Sequence, residues 1–138
     1  RIDQVVAVKQ AVTDLDEARA IVDAGRLALY AGNDDLLLPF ALLGGVGGIC
    51  VASHVAGEEM LAVQAAADAG DEAEARRLDD ALQPLFTALS CTVNPIPVKT
   101  AMDLLGFAVG GLRLPLVAAS DAERETVRAA LAARGLLA

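Results

Sequence analysis

The sequence is short of the residues that build stacking surfaces and metal sites. It has no tryptophan, one tyrosine, three phenylalanines, one histidine and two cysteines. With aromatics at 3%, it offers no row of rings on which nucleic-acid bases would stack. The 11 Lys and Arg stand against 19 Asp and Glu and are scattered among acids rather than gathered into a stripe, which disfavours nucleic acid as a partner. The net charge of −8 favours solubility, but one cation in a dry pocket outweighs distant charge, so a small anionic substrate remains open. No apolar run approaches the roughly 20 residues of a membrane span, and the amino end has neither a basic start nor a cleavable apolar region; a cytoplasmic chain with no membrane partner is expected. Cys50 and Cys91 lie far apart in apolar surroundings and read as two reduced, buried thiols. An initiator methionine is also lacking, so the chain is expected to begin inside something larger.

What remains is aliphatic. Hydrophobic residues make up 55% of 138 positions, mainly Ala, Leu, Val and Ile, the palette of parallel strands layered with helices. Residues 4–8 read as a strand apolar on both faces and covered by helices, after which Asp14 caps a helix ended by Gly25. Residues 27–31 read as a second strand, "GND" (32–34) as a turn, and Asp34 or Asp35 as the cap of a short helix through residue 44. A third strand is expected over 48–52. Helices follow at about 56–69, 72–90 with a kink at Pro84, 97–106 and 121–134, with Gly70, Gly106 and Gly135 as stops. The order β-α-β-α-β argues for a parallel sheet. Three such strands do not close a barrel, which takes about 250 residues; the expected fold class is therefore α/β, the C-terminal part of a larger fold.

Several motifs have plain structural readings. The cluster "LGGVGGI" (43–49) precedes a strand, and a dinucleotide fingerprint begun at Gly45 would need glycine where Cys50 stands, so a tight turn is the better reading. His54, the lone histidine, lacks partners at ligand spacing and is read as a loop or helix-start residue with an opening as a pocket liner; no metal is expected. The acidic runs at 68–80 and 121–128 carry arginines at helical spacing, as a solvated helix face does. Lys9 is different. It follows four apolar residues at the carboxyl end of a strand, where α/β sheets keep their chemistry. A partly desolvated lysine there can lose its proton, attack a carbonyl and form a Schiff base, although many strands end in a lysine that only meets water.

Taken together, the motifs resemble one family. "VVAVKQAVTDL" (5–15) is similar to the Schiff-base segment of dihydrodipicolinate synthase and its relatives, commonly VxGIKEAxGDL. "YAGNDD" (30–35) resembles their S-G-D-D turn, "GGVGGICVASH" (44–54) their GGxGxISVxAN, and "NPIPVK" (94–99) matches outright. "LRLPL" (112–116) and "RETVRAALAARGLL" (124–137) fit the family's carboxyl end. The resemblance implies a Schiff-base lyase on a (β/α)8 TIM barrel, with residues 1–70 as the last three β/α units and 71–138 as a C-terminal helical region. It implies that Lys9 condenses with pyruvate and that the resulting enamine attacks an aldehyde, L-aspartate 4-semialdehyde, on the route to lysine and diaminopimelate. It places Ile49 against the imine and pyruvate carboxylate, and Gly32, Asp34 and Asp35 on the second-substrate side. No cofactor is implied, and a homo-oligomer, a tetramer, is.

The resemblance has departures. Gln10 replaces a glutamate, Asn33 the first aspartate of the turn, and Ser53-His54 an Ala-Asn pair. "NPIPVK" favours dihydrodipicolinate synthase over the N-acetylneuraminate lyase branch, while sugar-acid aldolases and dehydratases of the superfamily stay open. The family's proton-relay tyrosine, paired threonines and carboxylate-binding arginine have no counterpart here, and Tyr30 does not match the relay motif. Little or no turnover is expected from this chain alone. A non-catalytic half-barrel that assembles through its open strand edges is the alternative.

Overall fold

Asp14 starts the first helix. In the computed structural model, which describes residues 3–137, its carboxylate accepts hydrogen bonds from the Asp16 and Glu17 amides, and α1 (Leu15–Asp23) follows. Those amides have no partner within the helix, so a carboxylate at this position satisfies them and meets the positive end of the helix dipole. Gly25, at φ +61°, turns the chain into β2 (Ala28–Ala31). Here a residue with a Cβ would be strained, and glycine is not.

β2 lies between β1 (Ala7–Gln10) and β3 (Gly47–Gly48) in a three-stranded sheet. Both pairings are parallel, with Lys9 opposite Tyr30 and Tyr30 opposite Gly47. Side chains alternate across the sheet. Leu29 and Ala31 point to the face packed by α1 and α2 (Leu37–Leu42) and are buried, whereas Ala28 and Tyr30 are only half-buried. A 3-10 turn, Asp34–Leu36, leads into α2, and α2 packs in turn on α3 (Ser53–Asp68). Leu29, Leu36, Leu37, Phe40, Met60 and Val63 are buried, each contributing about 1.5–3 kcal/mol of burial free energy.

Two strand expectations need correction. β1 begins at Ala7, not residue 4, and it is not covered on both faces: Val5 is 52% and Val6 70% exposed, and Ala7 and Lys9 are exposed within the strand. β1 pairs only with β2 among the described residues, which leaves it an edge strand. The third strand is two residues long rather than residues 48–52. The ladder extends one bond further, from the Ile49 amide to the Ala31 carbonyl at 2.8 Å; the amides of Val51 and Ala52 then turn to a side chain, the Asp34 carboxylate.

α4 (Glu72–Leu89), α5 (Ile96–Leu104) and α6 (Asp121–Ala133) complete the chain close to the expected bounds. Pro84 lies within α4, which continues to Leu89. The chain divides into two units, Arg1–Ala81 and Leu82–Ala138. In the second, α5 packs on α6 with Ile96, Val98, Ala101, Val127 and Leu131 buried. Ser120 and Glu123 form a reciprocal capping box at the start of α6, and Arg124 pairs with Asp103 at 3.0 Å. The arginines of the acidic runs pair at helical spacing with Glu72, Glu74 and Glu125 on exposed faces, as the spacing predicts. Cys91 is exposed, against the expectation of two buried thiols; Cys50 is buried. Gly70, Gly106 and Gly135 all take positive φ after their helices.

Candidate functional site

The carboxyl ends of the three strands bring together the residues singled out from the sequence. Lys9 is the third residue of β1 rather than a residue just past it. Its side chain is exposed, so the desolvation expected there is not provided by the described residues. No hydrogen bond engages its ammonium among those residues. Tyr30 is its cross-strand neighbour and shares its face. Beyond Tyr30, a Cβ at Gly47 would meet the tyrosine ring at 3.5 Å, so the ring lies over the glycine.

The end of β2 is tied to both neighbours. Towards β1, the Gly32 amide donates to the Gln10 carbonyl at 2.8 Å, and Asn33 Nδ2 donates to the Ala11 carbonyl at 3.1 Å. A Cβ on Gly32 would lie 2.8 Å from that of Ala11 and 2.9 Å from the Gln10 oxygen; the two chains approach as closely as glycine permits. Towards β3, Cys50 Sγ donates to the Asn33 carbonyl at 3.5 Å, and the Ala52 amide donates to Asp34 Oδ1 at 2.9 Å. Asp34 therefore does not cap its own helix. Asn33 holds the cap position of the 3-10 turn without a side-chain bond, and the Asp34 carboxylate faces the start of α3. Asp35 is exposed, and Ile49 is 54% exposed.

Burial raises the pKa of Asp34, with a smaller push from Asp35; the hydrogen bonds from Ala52 and Val51 and the charge of Lys9 oppose the rise. Burial likewise pushes the Cys50 thiol up to about 12, reinforced by Asp34 and Asp35 and opposed by Lys9. Cys50 is thus a neutral donor within the turn, not a nucleophile. Among the described residues, no three His, Cys, Asp or Glu side chains gather as a metal site would require. A cleft of about 310 Å³ opens at the opposite end of β2, lined by residues such as Arg26, Leu27 and Val46. None of Lys9, Gly32, Asp34, Asp35 or Ile49 borders it.

Comparison with known proteins places this sheet end in context. A sequence profile described as the dihydrodipicolinate synthetase family matches residues 1–134. The chain belongs to that family. The 4-hydroxy-tetrahydrodipicolinate synthase of Moorella thermoacetica is 47% identical over 138 residues, which are 99% of this chain and 47% of that enzyme. Among solved structures, the dihydrodipicolinate synthase of Cyanidioschyzon merolae with lysine bound superposes with a TM-score of 0.92 at 40% identity, covering 96% of this chain and 46% of the other. The chloride-inhibited enzyme of Acinetobacter baumannii, complexed with pyruvate, gives 0.90 at 37% identity with the same coverage. The chain spans about half the length of the relatives it matches, and its three parallel strands with their helices fit part of a dihydrodipicolinate synthase barrel.

Three of the positions where the chain departs from the dihydrodipicolinate synthetase pattern make local hydrogen bonds in this fold. Gln10 folds back so that Oε1 accepts from the Ala11 and Val12 amides at 3.1 and 3.3 Å. Asn33 holds the same loop through Ala11. Ser53 Oγ donates to the Cys50 carbonyl at 2.6 Å as α3 begins. The fourth, His54, is exposed in the first turn of α3. Sequence reasoning missed the tethering roles of Asn33 and Cys50, as well as the pairing of Tyr30 with Lys9. An Asx residue after a strand was the available signal for the first; the other two depend on register and burial. "NPIPVK" resolves into helix-start packing, with Ile96, Pro97 and Val98 buried and Lys99 Nζ donating to the Gly111 carbonyl at 2.6 Å. No helix among the described residues is long and apolar enough to cross a membrane.

Proposed function

We propose that the chain supplies the last three β/α units and the following helices of a Schiff-base lyase of the dihydrodipicolinate synthase type, acting on pyruvate and L-aspartate 4-semialdehyde in lysine and diaminopimelate biosynthesis. The observation that supports this best is the state of the two lysines. Lys99 is bonded to the Gly111 carbonyl, while the exposed Lys9 amine has no hydrogen bond among the described residues. In this reading the neutral Lys9 amine attacks the pyruvate keto carbon, and loss of water gives the imine. Removal of a methyl proton gives an enamine; its carbon attacks the aldehyde, and water releases the product and restores the amine. Ile49 packs beside the imine. Gly32 and Asp35, with Asp34 behind them, line the side from which the aldehyde arrives. No cofactor is needed, because the protonated imine formed on Lys9 itself serves as electron sink.

Borohydride reduction of the chain with pyruvate, followed by peptide mass mapping, tests the reading. An adduct on Lys9 that disappears in Lys9→Arg is expected, without turnover of pyruvate and aldehyde. Adduct on Lys99, or on neither lysine, overturns it. A second reading, a non-catalytic half-barrel module, draws support from the exposed Val5 and Val6 just before the edge strand β1; it predicts a stable oligomer in sedimentation with no trapped imine. A homo-oligomeric enzyme, tetrameric as the resemblance implies, predicts oligomer and imine together.

A further inference from the structure

Among the groups around Lys9, the Asp34 carboxylate is the one whose bonds serve no evident need of its own element. It does not cap the 3-10 turn it begins, and among the described residues it forms no salt bridge. It reaches across to the segment after β3 and accepts from the Ala52 amide at 2.9 Å and from the Val51 amide. Without it those amides, at the start of α3, would have no helix carbonyl to bond. One residue earlier, the Cys50 thiol donates to the Asn33 carbonyl, and before that the Ile49 amide donates to the Ala31 carbonyl. The series is continuous: backbone, thiol and carboxylate in turn hold residues 49–52 against the end of β2.

We propose that Asp34 is a positioning residue, whose carboxylate continues the ladder beyond the last paired strand residue and so fixes the Ile49 backbone across β2 from Lys9. The role given to Ile49 rests on the Schiff-base reading; the tether itself does not. The raised pKa of Asp34 supports the assignment. Burial and the neighbouring Asp35 charge together outweigh the two amide bonds and Lys9, so the ionised group is held at a cost to stability, a pattern typical of sites kept for function. The groups that face it are Lys9, Asp35 and the Cys50 thiol.

Amide hydrogen exchange in the chain, with Asp34→Asn and Asp34→Ala beside the parent, reads the tether directly. In Asp34→Ala the Val51 and Ala52 amides should exchange about tenfold faster or more, with the protection of β2 retained. The thermal midpoint of Asp34→Asn at neutral pH should not fall. The Asp34 contribution to stability should decline as pH rises from the ordinary carboxylate value of 3.8 through the raised one, since the folded state there holds the extra proton, so across that window the parent should lose stability relative to Asp34→Asn. Unchanged exchange at Val51 and Ala52, or a loss of protection spread over the whole sheet, overturns the tether. Borohydride trapping separates the rest. A Lys9 adduct undiminished in Asp34→Ala removes the positioning role and leaves the Schiff-base reading intact; absence of adduct in the parent removes both that reading and the role, whatever the exchange data say of the tether.

Discussion

Replacing Gly32 by alanine should loosen the join between the strand of Lys9 and its neighbour more than any surface substitution. The added Cβ would meet the Ala11 Cβ at 2.8 Å, the Gln10 carbonyl oxygen at 2.9 Å and the Ala11 Cα at 3.1 Å. Two of these are backbone atoms, so no side-chain rotation relieves the clash, and β1 must move away from β2. Overpacking of this kind costs about 1–3 kcal/mol, and stretching the Gly32–Gln10 bond adds about 0.5–1.5 kcal/mol. The total, about 1.5–4.5 kcal/mol, is a substantial part of the roughly 5–15 kcal/mol that holds a domain together. Urea unfolding followed by helix ellipticity measures it, since the chain has no tryptophan to report. Gly57→Ala is the matched control: nothing lies within 4 Å of its added Cβ, and alanine in a helix should gain about 0.5–1 kcal/mol. A Gly32→Ala loss below about 1 kcal/mol, or equal behaviour of the two variants, would refute the close approach on which the join is argued.

Two further outcomes are expected. With an aromatic disulfide reagent at mild alkaline pH, the exposed Cys91 should react first and Cys50, buried with its thiol pushed up to about 12, only on unfolding; equal rates for the two would contradict the burial of Cys50. Lys99→Met should leave the helices in place but free residues 106–119, because the Lys99 bond to Gly111 is lost; trypsin should then cut faster after the exposed Arg113, and an unchanged rate would speak against the latch.

Most helices were legible because their signals are local. Asp14, Gly25, Gly70 and the spacing of acids and arginines act within one or two turns, and α1, α4, α5 and α6 fall within a residue or two of expectation. The strands were less so, since a strand's extent is decided by its partner. "GICVA" has the composition of a strand, yet β2 ends at Ala31 and offers only one more carbonyl, so the chain leaves the sheet after Ile49. "VVAV" reads as buried, yet burial on both faces requires a layer that the described residues do not supply. At the site, the identity of Lys9 came from its neighbours in sequence, whereas the ties at Asn33, Asp34 and Cys50 join residues 17 to 22 positions apart. No local pattern encodes bonds of that length.

β2 carries none of the chemistry proposed for Lys9 and none of the contact proposed for Ile49, yet both strands that do are registered against it. Its carboxyl end bonds to β1 through Gly32 and Asn33, and to the segment after β3 through Ala31, Asn33 and Asp34. A shift of this one segment would therefore move Lys9 and Ile49 relative to each other even if each kept its own local structure. Parallel strands lack a hairpin to fix their register, so the ties at their ends must do so. All four residues involved lie in "AGND", where the chain uses asparagine in place of the family's first aspartate. An aspartate there could not donate to the Ala11 carbonyl as Asn33 Nδ2 does. Asn33 is thus better understood as part of the join than as a mark of a different substrate.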